Sequence, residues 1–325
     1  MAMVQTNSQS AAPVPALPDA ALSADGLVKV YRGGKRALDG ISLSVPRGSF
    51  FGLLGPNGAG KSTFINILAG LVLKSSGSVR VWDRDIDRDP RGAKAAIGVV
   101  PQELNLDAFF TPRELLDVQA GMYGVPKSER RTMEILDIVG LADKADSYAR
   151  TLSGGMRRRL LVAKAMVHNP PILVLDEPTA GVDIELRQHL WEAIRGMNER
   201  GTTILLTTHY LEEAEQLCDQ IAIINQGRLA ALDTTANLLK RIDGKALLVT
   251  LDRDLDTIPP ELAPFAPELR APRQIVIRYR PSAIPVGRIL DAIAAARLTI
   301  ADLSTEETDL EDIFLQLTSS RPVQG

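Results

Sequence analysis

The stretch GLLGPNGAGKST, residues 52–63, constrains this chain most, because it matches the pattern G-x-x-x-x-G-K-[ST]. The apolar run FFGLL precedes it and TFINILAGLV follows it, which predicts a strand, a tight loop and a helix. Glycines let the backbone wrap a phosphate, a lysine reaches terminal phosphates, and a serine hydroxyl ligates Mg²⁺. The alternative is a glycine-rich turn ending in a solvated lysine, and the flanking strand and helix weigh against it. The predicted nucleotide contacts are Gly55, Pro56, Asn57, Gly58, Ala59, Gly60, Lys61, Ser62 and Thr63.

Length and composition restrict the class of protein around this phosphate loop, residues 55–63. A chain of 325 residues suffices for one large or two ordinary domains with a buried core. The net charge of −3 and the 4% of aromatic residues argue against nucleic acid as a partner. The single cysteine, Cys218, excludes an internal disulfide and fits a cytosolic protein, and its helical spacing with Leu211 and Ala214 predicts a core position.

Membrane-spanning and targeting segments are not expected. No apolar run approaches the roughly 18 residues that cross a bilayer. The first basic residue is Lys29, so the charged start of a signal peptide is missing. A chain like this that acts at a membrane needs a separate anchor.

Composition divides the chain into a tail and two domains. Residues 1–24 are rich in Ala, Pro, Ser and Gln, which predicts a disordered tail. Over residues 25–238, short apolar runs such as ILVL (172–175) and ILLT (204–207) alternate with longer amphipathic stretches. This alternation is typical of an α/β domain with a buried sheet.

A smaller domain follows a polar linker at residues 239–245. Residues 246–325 contain the strand-like runs ALLVTL and QIVIRYR, joined by a proline-rich stretch. The run DLEDIFLQL predicts a closing helix with Leu310, Ile313, Phe314 and Leu317 on one face. We therefore expect a small α+β domain at the C-terminus.

Acidic residues end another predicted strand, in ILVLDEP. Ligands of open α/β sheets bind at the carboxyl ends of strands, so Asp176 is placed to hold Mg²⁺ and Glu177 to polarise an attacking water. Such a pair often only caps the next helix, and the phosphate loop favours the catalytic interpretation. TTHY ends a further apolar run and places His209 near the γ-phosphate, with a turn or core role as the alternative. His168 and His189 are expected to be structural.

A second anion-binding turn is predicted in TLSGGMRRRL, residues 151–160. Ser153, Gly154 and Gly155, the signature turn, would open a helix whose N-terminal amides and dipole favour an anion. The three arginines at 157–159 oppose that dipole, and a polyanion bound beside the turn would offset the cost. We expect two of the three to form only a solvated face with packed aliphatic stems.

These motifs occur in the order found in the ATP-binding cassette, the nucleotide-binding domain of ABC transporters, and residues 25–238 resemble that family. The match includes the aromatic Tyr31, VVPQE with Gln102, LSGGM at 152–156 and TAGVD with Asp183. It implies a P-loop NTPase with a mixed sheet core and a helical subdomain over about 103–168. The commoner family pattern has glutamine where this chain has Met156, which removes one side-chain hydrogen bond but leaves the backbone amides unaffected.

The resemblance also implies roles for single residues. Tyr31 would stack on adenine, although in isolation it is equally an ordinary strand tyrosine. Two copies would bind ATP head to tail, so that the signature turn of one meets the γ-phosphate held by the phosphate loop of the other. Asp183 belongs to the expected nucleotide site. The implied catalytic residues are Lys61, Gln102, Glu177 and His209, and the implied Mg²⁺ ligands are Ser62, Gln102 and Asp176.

Within the family, LSGGMRRRL, TAGVDIELR and LEDIFLQLT resemble ATPases of ABC-2-type exporters, including drug-resistance and nodulation-factor exporters. The C-terminal domain resembles the one appended in that branch, with a regulatory or dimerising role left open. The branch implies a peripheral protein on the cytoplasmic face of the inner membrane and two copies of an integral membrane permease. Its cargo is expected to be hydrophobic, drug-like or lipid-linked.

One exposed contact for the permease is expected before the signature turn. The stretch TPRE (111–114) predicts a capping-box helix start, with Phe110 packed against Leu115. Phe109 is left over and is a candidate contact for the membrane subunit, with burial in the core as the alternative.

Other classes of cassette fit less well. An importer ATPase and an ATP-gated regulator of a membrane complex that transports nothing both stay open. DNA-repair relatives need a long coiled coil between phosphate loop and signature turn, and no long heptad run occurs there. Soluble relatives that act in translation carry two cassettes in one chain, whereas this sequence has one strong phosphate loop.

Overall fold

The computed structural model describes residues 20–179, 181–182, 184–241, 245–279, 281, 283–307, 310, 314 and 317–318. Contacts divide the chain into two compact units, residues 1–232 and 233–325, so the division lies slightly before the predicted boundary at 238. No helix in these described ranges is both long enough and apolar enough to cross a bilayer.

The secondary structure follows the alternation that the sequence predicts. The strands are β1 (Ala20–Val30), β2 (Arg36–Pro46), β3 (Phe50–Leu54), β4 (Ser76–Val81), β5 (Arg84–Asp85), β6 (Ile97–Val100), β7 (Ile172–Asp176), β8 (Thr203–Thr207), β9 (Gln220–Asn225), β10 (Arg228–Thr234), β11 (Lys245–Leu251), β12 (Glu268–Ala271), β13 (Gln274–Tyr279) and β14 (Ile300–Glu307). The helices are α1 (Lys61–Leu68), α2 (Pro90–Ala95), α3 (Pro112–Met122), α4 (Thr132–Ile138), α5 (Gly154–Met166), α6 (Ile184–Glu199), α7 (Leu211–Leu217), α8 (Thr235–Arg241) and α9 (Val286–Ala295). Short 3-10 helices lie at Lys127–Glu129, Ala142–Lys144, Ala149–Thr151 and Pro260–Phe265.

A largely parallel sheet of order β10-β9-β3-β8-β7-β6 forms the centre of the first unit. Strands β3, β7 and β8 are buried along their whole length, as continuous apolar runs require when both faces of a sheet are covered. Their parallel pairing puts the carboxyl ends of β3, β6, β7 and β8 at one edge. Every loop that follows these strands therefore starts at the same edge of the sheet.

A second, antiparallel sheet of order β2-β1-β4-β5 completes the α/β core. Its first strand corrects the predicted tail, because β1 already begins at Ala20, whereas residues 1–19 lie outside the described residues. Ala21, Leu22 and Ala24 are buried there, and Leu22 and Ala24 pair with both β2 and β4. A composition rich in small residues predicted disorder, but alanine also packs well in a core.

A group of helices lies between β6 and β7, where the sequence predicts a helical subdomain over about 103–168. Helix α3 starts with a complete capping box, in which Thr111 accepts from the Glu114 N–H and Glu114 accepts from the Thr111 N–H. Helices α3 and α4 pack on α5, which is also in contact with β6 and β7. Helix α5 thus joins the subdomain to the sheet.

The second unit is a four-stranded antiparallel sheet of order β12-β13-β11-β14 with α9 on one face. Its core includes Leu247, Val249, Ile275 and Ile289, and the α+β class matches the sequence prediction. Part of the expected linker belongs to regular elements, since α8 continues to Arg241 and β11 begins at Lys245, while 242–244 lie outside the described residues. Most of the predicted closing helix, including Ile313, also lies outside them and stays a prediction.

Candidate functional site

The shared carboxyl edge of the parallel sheet gathers the predicted site residues. The phosphate loop follows β3, Gln102 follows β6, and His209 follows β8. Asp176 ends β7, and Glu177 comes next. Most of the phosphate-loop and catalytic candidates meet in one open cavity, whereas Gly55, Pro56 and His209 are not among its lining residues, which are Tyr31, Lys35, Ala37, Asn57, Gly58, Ala59, Gly60, Lys61, Ser62, Thr63, Gln102, Asp176 and Glu177.

The phosphate loop needs glycine at two close approaches of the backbone. Gly60 has a φ of 115°, and a Cβ there would lie 2.6 Å from the carbonyl oxygen of Ala37. A Cβ at Gly55 would lie 2.3 Å from the carbonyl oxygen of Ile224. The two outer glycines of the motif therefore bring the loop against its neighbours, and α1 starts directly behind it.

Lys61 bends back over the loop that it ends. It is only 9% exposed, and its Nζ donates to the carbonyl oxygens of Gly55 at 2.6 Å and Pro56 at 3.3 Å. Burial lowers the pKa of Lys61, while the carboxylates of Glu177 and Asp176 favour its charged form. A phosphate entering the loop would replace these neutral carbonyl acceptors with a negatively charged one.

Tyr31 stands at the mouth of this cavity, just after β1. Its hydroxyl lies 3.3 Å from Thr63 Oγ1, and the Lys29 ammonium lies 4.8 Å from its ring centre. Tyr31 is 37% exposed, so part of the side chain is accessible. Its predicted stacking on adenine stays a prediction.

Asp176 is a buried carboxylate anchored by the neighbouring strand. Thr207, the last residue of β8, donates its hydroxyl hydrogen to Asp176 Oδ1. Burial raises the pKa of Asp176, which the Thr207 hydrogen bond and the charges of Lys61 and Arg158 oppose. No group of three or more His, Cys, Asp or Glu in the described part of the chain suits a metal. One carboxylate (Asp176), one hydroxyl (Ser62) and one amide (Gln102) line the cavity and carry oxygen atoms of the kind that Mg²⁺ prefers together with substrate phosphates, and the Mg²⁺ site stays a prediction.

Glu177 receives two polar contacts on the same oxygen. Gln102 Nε2 donates to Glu177 Oε2 at 2.9 Å, and His209 Nδ1 lies 3.5 Å from that atom. The backbone of Glu177 has a φ of 50°, a strained conformation for a residue with a side chain. Its N–H donates to the carbonyl oxygen of Thr207 at 3.0 Å, which holds this conformation.

The signature turn lies outside this cavity, although both are in the described part of the chain. Ser153 caps α5, with its Oγ accepting from the Met156 N–H at 3.2 Å, and Ser153 and Gly154 are exposed. The predicted helix start is therefore confirmed. Asp183 lies outside the described residues, so its assignment stays a prediction.

The arginines behind the signature turn correct the expected solvated face. Arg158 and Arg159 are only 5% and 6% exposed. Arg158 Nη1 donates to the carbonyl oxygens of Pro101 and Gln102, and Arg159 Nη1 to those of Val139 and Gly140. Arg157 is half-buried and donates to Leu152 O at 3.0 Å. The carbonyls of Pro101 and Gln102 follow β6, and those of Val139 and Gly140 follow α4. The ends of these elements leave backbone acceptors without backbone partners, and the long guanidinium side chains reach them.

Several other residues can be compared with their predicted roles. Cys218 is buried, and burial raises the pKa of its thiol, which confirms a core residue and not a nucleophile. His168 is structural as expected, with its ring stacked on Tyr123. Phe109 is 73% exposed, so the alternative of a buried Phe109 is wrong.

Thr207 and Arg158 are site residues that sequence reasoning missed. For Thr207 a signal was present, since a polar residue ends the apolar run ILLT beside the strand that ends in Asp176. For Arg158 no signal separates it from its two arginine neighbours, because only the packing of α5 decides which guanidinium is buried.

Sequence comparison places these motifs among known proteins. The profile of the family "ABC transporter" matches residues 38–180. A Nod factor export ATP-binding protein I of Paraburkholderia xenovorans is 39% identical over 304 residues, which covers 93% of this chain and 98% of the relative. A linearmycin resistance ATP-binding protein of Bacillus subtilis is 37% identical, covering 91% and 98%. A daunorubicin/doxorubicin resistance ATP-binding protein of Streptomyces peucetius is 37% identical, covering 93% of each chain.

Solved structures of ABC cassettes also resemble this chain. An ATP-binding subunit of an ABC transporter has a TM-score of 0.62 at 28% identity, covering 68% of this chain and 92% of its own. A dimeric ATP-binding cassette in a post-hydrolysis state, bound to ADP and Pi, has a TM-score of 0.59 at 26% identity, covering 66% and 98%.

Proposed function

Since the chain belongs to the ATP-binding subunits of ABC transporters, in the branch of ABC-2-type exporter ATPases, we propose that it drives export. Two copies bind ATP between them and close, and this closure drives the transport. The two copies are arranged head to tail, and hydrolysis lets them reopen. A separate integral membrane permease, present in two copies, carries the cargo.

One observation carries this proposal. The chain has two phosphate-binding turns, and the signature turn lies exposed outside the cavity that its own phosphate loop forms. A capped helix start with free amides is a good anion site, and a nucleotide in this chain's cavity does not use it. A second copy rotated by two-fold symmetry supplies its signature turn to this cavity and receives the same in return. One structural neighbour, an ATP-binding cassette bound to ADP and Pi, is dimeric, which supports an arrangement of two copies.

Each side chain of the cavity then has a task. Tyr31 stacks on adenine, and the phosphate-loop amides with Lys61 hold the phosphates. Glu177 polarises the attacking water, while Gln102 and His209 orient that carboxylate and contact the γ-phosphate. Ser62, Gln102 and Asp176 would hold Mg²⁺, which would neutralise charge on the phosphates. The chemistry consists mostly of positioning and charge stabilisation.

Cargo and location follow from the family branch and from the surface. The names of the relatives, which concern Nod factor export and drug resistance, support a hydrophobic, drug-like or lipid-linked cargo. The exposed Phe109, with Arg150 5.9 Å from its ring centre, is the contact that we assign to the permease. The protein would thus act at the cytoplasmic face of the cell membrane as a peripheral subunit.

The test traps the closed dimer in native membranes. Tagged Glu177→Gln protein keeps the shape of the side chain and the binding cavity but loses the carboxylate that activates water. With ATP and Mg²⁺ it should stay closed, and mass spectrometry of the purified complex should identify a multi-spanning membrane protein in equal amount.

Lys61→Ala is the matched control, because it weakens phosphate binding and should release the trap. Phe109→Ala in the Glu177→Gln chain should keep the trapped dimer and lose the membrane protein. Recovery of soluble partners only, of ribosomes or of DNA would remove the exporter and leave the ATPase. Recovery of a substrate-binding protein with the permease would favour an importer, and an enzyme that transports nothing would favour a regulator.

A further inference from the structure

We propose that Arg158 is a positioning residue, which fixes the Gln102 loop to helix α5 and so connects the signature turn with Glu177 of the same chain. This inference rests on the proposed roles of Glu177 and the head-to-tail site. It adds a residue to that mechanism and a path between its two half-sites.

The contacts of Arg158 form the first part of the argument. Its Nη1 donates to the carbonyl oxygen of Pro101 at 2.9 Å and to that of Gln102 at 2.8 Å. The Gln102 side chain then donates to Glu177 Oε2 at 2.9 Å. One guanidinium therefore holds the backbone of the residue whose amide orients the proposed catalytic carboxylate.

The burial of the charge makes this contact specific. Arg158 is nearly inaccessible, whereas Gln102 and the residues that follow it up to Asn105 are exposed for the most part. Burial lowers the pKa of Arg158, and the carboxylates of Glu177 and Asp176 favour its charged form. A hydrogen bond from a charged donor in a buried place is stronger than a neutral one at the surface. An exposed loop is thus fixed from its buried side.

The position of Arg158 on α5 gives the second part of the argument. It lies five residues after Ser153 on the same rigid helix, which corresponds to about 7.5 Å along the axis. A shift of the signature turn when it meets the partner's phosphate therefore moves Arg158 too. The shift reaches Gln102 and then Glu177 through hydrogen bonds, so that each subunit's hydrolysis depends on its contact with the other subunit's nucleotide.

Arg159 provides a matched control within the same turn of α5. It is equally buried, and its Nη1 also donates to two consecutive carbonyls, of Val139 at 2.8 Å and Gly140 at 2.9 Å. Those carbonyls belong to the end of α4 and not to the Gln102 loop. Arg158→Met and Arg159→Met each remove one buried guanidinium that donates to two consecutive carbonyl oxygens, and of the described contacts only those of Arg158 reach the Gln102 loop.

The experiment compares ATP turnover, nucleotide affinity and thermal stability in the full chain. Arg158→Met should lower kcat about 10- to 100-fold, because the cost of a misplaced catalytic group is of that size. The Kd for a non-hydrolysable ATP analogue should not change. Arg158→Met and Arg159→Met should lower Tm by similar amounts, but Arg159→Met should keep kcat. Arg158→Lys should recover part of the rate that Arg158→Met loses.

A double variant tests whether Arg158 acts through Gln102. In a Gln102→Ala background, Arg158→Met should cause no further loss of kcat. Multiplied losses, or equal losses of kcat for Arg158→Met and Arg159→Met, would overturn the inference. If Arg158→Met does not fold, Arg158→Lys and Arg159→Lys make the same comparison. Normal turnover by Glu177→Gln would instead refute the proposed function, whatever the arginine variants do.

Discussion

The phosphate loop and the signature turn both offer backbone amides to an anion, but the chain surrounds them very differently. Around the phosphate loop it supplies a buried lysine, a carboxylate pair and an aromatic ring. At the signature turn it supplies a helix cap and leaves Ser153 and Gly154 exposed. On the proposed mechanism, a nucleotide first binds at the phosphate loop alone, and the signature turn gains its anion only when another subunit brings one.

This difference also separates the energetic roles of the two turns. Contacts present before closure contribute to affinity, and contacts made only in the closed state contribute to closure and to the chemical step. Variants at the phosphate loop should therefore change nucleotide binding, and variants at the signature turn should change closure and turnover.

The largest effects are expected at the phosphate loop and at the nearby carboxylate of Glu177. Lys61→Ala should lose measurable binding of ATP and at least about 100- to 1000-fold in kcat, since it removes the charge that meets the developing negative charge. Glu177→Gln should lose turnover to a similar extent and keep ATP affinity. Isothermal titration and steady-state ATPase assays measure the two quantities, and equal loss of affinity in both variants would contradict the separate roles.

The next prediction tests directly whether one active site uses turns from two chains. A Cβ at Gly154 would meet no atom within 4 Å, so Gly154→Asp fits the fold. A negative charge at this first helical position interacts favourably with the helix dipole but repels a phosphate. Gly154→Asp should therefore be as stable as wild type and nearly inactive, with Gly154→Ala as the uncharged control.

Mixing this variant with Lys61→Ala should restore activity. In a mixed dimer, one site holds an intact phosphate loop and an intact signature turn, while the other site lacks both. The mixture should reach about a quarter of the wild-type rate, because about half of randomly assorted dimers are mixed and each has one of its two sites complete. No recovery after exchange of subunits would mean that the two turns do not complement each other between chains.

The sequence predicts the surroundings of the phosphate loop in more detail than those of the signature turn. The strand, loop and helix around Lys61 follow from local patterns, since apolar periodicity and glycine spacing act over few residues. The burial of Arg158 depends on where α5 packs, which local pattern does not contain. Similarly, Ala20–Ala24 have the composition of a tail, and only pairing with β2 and β4 makes them a strand.

A smaller effect is expected for the cap of the signature helix. Ser153→Ala removes an N-cap acceptor and should cost about 1 kcal/mol of stability. Thr111→Ala removes the corresponding acceptor of α3 and should cost about the same. Only Ser153→Ala should also lower kcat, because Thr111 caps a helix with no proposed phosphate. Equal turnover in the two variants would mean that the Ser153 side chain is a cap and nothing more.

The smallest effect is expected at the C-terminal end of α5, where the contacts of His168 come from the same chain. His168 follows α5, its ring is stacked on Tyr123 with centroids 3.7 Å apart, and its Nε2 lies 3.2 Å from the carbonyl oxygen of Ile97. Burial lowers the pKa of His168, and the contact with Ile97 opposes this only in part. Below about pH 6.5 the unfolded chain thus binds a proton more readily than the folded one, so this contribution to stability is lost as pH falls.

His168→Phe keeps a ring beside Tyr123 and cannot titrate. Its Tm relative to wild type should rise by at most about 4 °C between about pH 7.5 and 5.5. ATP affinity at a fixed pH should be the same in both proteins, because this end of α5 lies away from either phosphate-binding turn. A fall in ATP affinity in His168→Phe would instead show that the anchored end of α5 takes part in building the site.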